Sequence, residues 1–98
     1  MDLTGKKKRH LRLLGKTLSA KAAVGKDGLT DEVVANVDRL LEGRELVKVR
    51  LPAGPERKAV APELADRVGA ALITIVGRTC LLYRPDETLE TEQRIDFG

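Results

Sequence analysis

Hydrophobic and polar positions change period several times along this chain, and each change predicts an element. Leu11 and Leu14 share a helical face with Leu18 behind a Thr4 N-cap. That spacing predicts a first helix to about Leu14, stopped by Gly15, with its basic side chains turned outward. Ala22, Ala23 and Val24 read as a short first strand. Leu29, Val33, Val37, Leu40 and Leu41 then recur at helical spacing, predicting a second helix from Leu29 or Thr30 to about Glu42. Thr30 caps it, Asp31 and Glu32 suit the positive end of its dipole, and Gly43 marks its end. The apolar stripe is core, not a cofactor site.

From Glu45 to Leu51 the period drops to two, with Val47, Val49 and Leu51 on one face and Lys48 and Arg50 on the other. This is the pattern of a strand covered on one side, its other face wet and basic. Pro52, Gly54 and Pro55 predict a loop, followed by a third helix ending near Val68 and Gly69. Pro62 removes a helical hydrogen bond, so this helix is expected to be short and to start at Pro62. Ala70 to Val76 and Thr79 to Arg84 are β-rich runs joined by Gly77 and Arg78, as in a type II′ hairpin.

The order α-β-α-β-α-β-β places the chain in the α/β class, as one compact domain over residues 1–85. It predicts a mixed four-stranded sheet packed with helices, in which strands joined through helices run parallel and the hairpin adds an antiparallel strand. Residues 86–98 lose periodicity and are expected to form an acidic, flexible tail.

A chain of 98 residues supports a single modest core. No apolar run approaches the roughly 20 residues that span a bilayer. Lys6 to Arg9 is followed by a stretch too short and too charged for a secretory signal, so the cytoplasm is the expected compartment. Lone Cys80 and His10 give no internal disulfide and no metal set. Cys80 reads as a small buried apolar residue.

The net charge of +3 conceals a strong polarity. Lys6, Lys7, Lys8, Arg9, Arg12, Lys16, Lys21 and Lys26 stand against Asp2 alone in the first 26 residues, whereas residues 86–98 hold five acids against Arg94. Such a basic end is the footprint of a polyanion ligand, and also suits a solvated helix face. The turn Gly25, Lys26, Asp27, Gly28 leads into the second helix, where a sugar-phosphate backbone can approach the main chain and meet free N–H groups. Lys26 and the N–H groups of Gly28 and Leu29 are the expected donors, with the basic first helix beside the turn. Arg78 at the hairpin tip is a further contact; Lys48, Arg50 and Arg84 are secondary ones.

Tyr83 and Phe97 are the only aromatic rings besides His10, and Tyr83 reads as core. With few stacking platforms, readout of backbone and shape is favoured over readout of bases. An alternative is an adaptor whose basic helix meets an acidic protein. A small phosphate-binding enzyme is a weaker one, because no P-loop element and no interpretable His, Cys and acid set is present.

The segments Val24 to Thr30 (VGKDGLT), Arg44 to Val49 (RELVKV) and Ile75 to Pro85 (IVGRTCLLYRP) resemble, in order and spacing, the bacterial YhbY proteins. These are the stand-alone form of the chloroplast RNA splicing and ribosome maturation (CRM) domain. The resemblance covers about residues 3–85. It implies a fold similar to the C-terminal domain of translation initiation factor three, RNA binding through the G-x-x-G turn and the basic helix, and association with ribosomal RNA in large-subunit precursors. Family members in plant organelles act in group II intron splicing. No cofactor, small-molecule substrate or membrane partner is implied. Two features depart from the family pattern: Pro55 and Pro62 fall where a continuous charged helix is usual, and Asp27 puts a negative charge in the turn.

Overall fold

A computed structural model describes residues 3–97. Asp2, counted in the charge above, and Gly98 of the tail lie outside the described residues. The elements are α1 (Gly5–Gly15), β1 (Ala20–Ala23), α2 (Asp31–Leu41), β2 (Leu46–Arg50), α3 (Arg57–Arg67), β3 (Ala71–Val76), β4 (Thr79–Tyr83) and a short 3-10 turn at Thr91–Gln93. They follow the order the hydrophobic pattern predicts.

The four strands form one mixed sheet in the order β1-β2-β4-β3. β1 and β2, joined through α2, are parallel, and β4 is antiparallel to both β2 and β3. The hairpin strand β4 therefore lies between β2 and β3, which share a direction. Gly77 opens the hairpin turn at φ +57°, and Arg78 keeps a negative φ, as a II′ turn requires.

Both faces of the sheet are covered. Val47, Val49, Cys80 and Leu82 point into a core with Val37 and Leu41 of α2 and Ala61 and Leu64 of α3. Burying each of these larger aliphatic side chains is worth roughly 1.5 to 3 kcal/mol. The opposite face, expected to be wet, holds a second cluster of Leu46, Ile73, Leu81 and Tyr83 under Leu11 of α1. At one end of that face Lys48 is half-buried and Arg50 is exposed.

Three local expectations change. Gly15 does not stop α1; it is the last helical residue, and a Cβ there would lie 2.6 Å from Leu81 Cδ2. Its bare backbone lets the helix press onto β4. Leu14 and Leu18, placed on the buried face by their spacing, are 37% exposed, because Leu11 alone carries the central contact. Pro62 lies inside α3 instead of starting it. It comes in the second turn, where the helix forgoes one bond, and the buried Ala61, Leu64 and Ala65 hold the segment helical regardless.

The acidic tail is not loose. Glu45, 1% exposed and at φ +65°, accepts the N–H groups of Asp86 (2.7 Å) and Ile95 (2.8 Å) and pairs with Arg94 at 3.6 Å. Asp86 accepts the Gly43 N–H at 2.9 Å and the Thr88 hydroxyl at 2.6 Å. These bonds, Thr88 first, hold the Asp86 carboxyl below its ordinary pKa. Ile95 and Phe97 pack on the α1-side cluster. Charge and absent periodicity hide this seat because the receiving group lies far away in sequence.

Arg84 braces the same end of the sheet. Its guanidinium donates to the Asp38 carboxylate at 2.6 Å, the Asp38 carbonyl at 3.0 Å and the Val68 carbonyl at 2.7 Å. It ties β4 to the ends of α2 and α3.

Candidate functional site

The G-x-x-G turn sits at the C-terminal end of β1. Val24 extends the parallel pairing by one bond, its N–H donating to Arg50 O at 2.8 Å, and its side chain is buried. The chain then reverses: Gly28 N–H donates to Gly25 O at 3.0 Å, which puts Lys26 and Asp27 at an exposed tip. The two glycines have different jobs. Gly28 adopts φ +75°, a conformation other residues reach only at a cost, whereas Gly25 has an ordinary φ and open space where a Cβ would be. Gly28 N–H, expected as a free donor, is spent on the turn. Among the described residues no acceptor takes the N–H of Lys26 or Asp27. Thr30 then caps α2 by accepting Val33 N–H at 3.2 Å.

The loop after β2 and the β3–β4 hairpin come to the same end of the sheet, since Arg50 pairs with Thr79. Leu51 N–H donates to Arg78 O at 2.6 Å, locking hairpin to loop. Gly25, Lys26, Gly28, Pro52, Glu56 and Arg78 thus line one open depression of about 510 Å³. Lys26 and Arg78 share its rim. Asp27, Asp31 and Glu32 are exposed nearby, and the last two already answer the dipole of α2. An anion approaching here therefore meets Lys26, Arg78 and the turn amides, and gains little from the helix end.

α1 does not lie beside this turn as expected; it crosses the opposite face of the sheet, against β2, β3 and β4. Its two halves go to different places. Arg12 and Lys16, in its last turn and cap, line a groove of about 350 Å³ with Lys48, Thr74, Val76 and Thr79. Val76 and Thr79 flank the Arg78 turn, so this groove and the loop depression meet at the hairpin. Lys21, the extra residue of a bulge in β1, lines a neighbouring groove with Lys48, Leu14 and Leu18. Lys6, Lys7, Lys8 and Arg9 belong to the other half, where Lys7 faces the tail: its Nζ lies 5.4 Å from the centre of the Phe97 ring.

Of the two strand residues expected as secondary contacts, Lys48 lines both grooves beside α1 and Arg50 is exposed. They share a face with Leu46, and the groove beside Lys48 follows from the place where α1 lands. Arg84, by contrast, is consumed by its internal bonds. His10 stacks at a tilt on Phe97, with ring centres 5.6 Å apart. Cys80 is buried, which pushes its thiol up to about 11. Among the described residues no group of three or more His, Cys, Asp or Glu could hold a metal ion, and no helix is long and apolar enough to cross a membrane.

Residues 3–84 match the model of the CRS1 / YhbY (CRM) domain. The chain belongs to that family. A CRM relative from Bacillus subtilis, named "Probable RNA-binding protein YqeI", is 36% identical over 93% of this chain and 95% of its own length. "Probable RNA-binding protein PA4753" from Pseudomonas aeruginosa is 33% identical over 86% of this chain and 83% of its own. The solution structure of SAV1595 from Staphylococcus aureus superposes with a TM-score of 0.78 at 29% identity, covering 96% of this chain and 98% of that one. The CRM match ends where the acidic tail begins.

Proposed function

We propose that this CRM domain binds RNA, with the G-x-x-G turn, the Arg78 hairpin and the second half of α1 forming one continuous contact strip. The observation that carries the reading is the approach of two concavities to the hairpin: Lys26 and Arg78 line one together with Glu56, and Arg12, Lys16 and Lys48 line the other with no acid among them. Relatives named as RNA-binding proteins support it. Lysines and arginines so arranged neutralise phosphates and release condensed counterions. Readout is of backbone and shape, since Tyr83 is 5% exposed and Phe97 is engaged by His10 and Tyr83, leaving neither ring as a platform for bases. The target in this reading is ribosomal RNA in precursors of the large subunit, in the cytoplasm, and the protein acts as a binding module, not an enzyme.

Sucrose-gradient fractionation with RNA crosslinking tests it. The protein should migrate with large-subunit precursors, shift on ribonuclease treatment, and crosslink through the turn and the hairpin. A titration that detects no complex with ribosomal RNA fragments at low ionic strength overturns the reading; complexes that survive ribonuclease would favour an acidic protein partner.

A further inference from the structure

Two grooves flank the last turn of α1. Arg12 and Lys16 line the one on its β3–β4 side, with Thr74, and Lys21 and Arg44 line the one on its β1–β2 side, with Ser19. Lys48 of β2 lines both, so the helix end stands between them as a ridge. The ridge is low, because Gly15 seats the helix directly on Leu81. Among the described residues no acid and no aromatic ring lines either groove. The crest differs from its flanks: Leu13, two residues on from the buried Leu11 and so on the opposite side of the helix, is apolar and 61% exposed.

Two cationic tracks on either side of an apolar crest complement a nucleic-acid groove, with a row of phosphates on each bank and sugars on its floor. A helix with its side chains is about 10–12 Å across. A-form RNA excludes such a body from its deep, narrow major groove and offers it a wide, shallow minor groove that displays 2′-hydroxyls. A single strand fills one track only, and finds no ring in either groove on which to stack its bases. We infer that this surface docks in the minor groove of double-stranded RNA. Arg12 and Lys16 meet phosphates of one strand, Lys21 and Arg44 meet those of the other, and Leu13 rests on the riboses between them. The hydroxyls of Thr74 and Ser19, one in each groove, both donate and accept, as pairing with 2′-hydroxyls requires. This rests on the RNA-binding reading above and narrows the ligand to a paired segment.

The test titrates the full-length protein with a perfectly paired RNA duplex and with one of its strands, over a range of salt. The duplex should bind about tenfold more tightly, since it offers phosphates to both tracks. Lys16→Gln and Lys21→Gln, at exposed positions on opposite flanks, should each lower the log–log salt slope on the duplex by about 0.9, and the double variant by about 1.8. Leu13→Glu should weaken the duplex complex more than the single-strand one. Equal affinity for the two RNAs, or a duplex slope unchanged by Lys21→Gln, overturns the inference, as does a Leu13→Glu protein that binds the duplex like wild type. Single-strand binding that Lys26→Gln weakens would in that case leave the RNA-binding reading standing; no complex with either RNA overturns both.

Discussion

Glu45 Oε1 accepts the main-chain N–H of Ile95 at 2.8 Å across fifty positions of sequence. With the bond to Asp86 N–H at 2.7 Å, one buried carboxylate holds the tail at Asp86 and again at Ile95. Glu45→Ala removes these acceptors and the partner of Arg94, and should lower stability by about 2 to 4 kcal/mol in urea denaturation. Equal midpoints for the two proteins would show that the tail adds nothing to the fold.

Gly15→Ala should destabilise although alanine is the better helix former. The gain in propensity is about 1 kcal/mol, and forcing a methyl group into the packed Leu81 costs roughly 1 to 3 kcal/mol. A lowered melting temperature with unchanged far-UV dichroism is expected.

The two glycines of the turn should separate. Gly28→Ala pays for its φ of +75° and should cost about 1 kcal/mol. Gly25→Ala meets open space at an ordinary φ and should leave stability within about 0.5 kcal/mol of wild type. Thermal unfolding of the pair checks both.

Lys26→Gln and Arg78→Gln should each weaken RNA binding and reduce the log–log salt slope by about 0.7 on a single strand, without changing the fold. A slope unchanged in both variants would remove the turn and hairpin from the interface.

Cys80 should resist thiol reagents in the native state at pH 8 and react on unfolding. Its ordinary pKa of 9.0 rises to about 11 when folded, chiefly through burial. The unfolded thiol ionises first, so this group's contribution to stability is intact below pH 9 and lost between pH 9 and about 11. Native reactivity at pH 8 equal to that of the unfolded chain would contradict the burial.

Local signals reached the sequence and distant ones did not. Thr4 and Thr30 cap their helices, Gly77 opens the hairpin, and the alternation around Val47 marks its strand, because each is decided by neighbours within a few residues. The RNA candidates Lys26 and Arg78 were legible for the same reason. What was not legible depends on where α1 lands: the cover over Leu46, the role of Gly15 against Leu81, and the split of the basic helix between two ends. The tail reads as disordered because its anchor, Glu45, looks like one more surface acid until its left-handed backbone turns it inward. Pro62 misled in the opposite direction, as burial around Ala61 outweighs one missing bond.

The Arg84 brace lies at the end of the sheet away from the G-x-x-G turn, where it fastens Asp38 and Val68 to β4. The joint is thereby separated from the turn by the length of the sheet. A change at the Lys26 or Arg78 tip therefore leaves the three guanidinium bonds of that joint untouched.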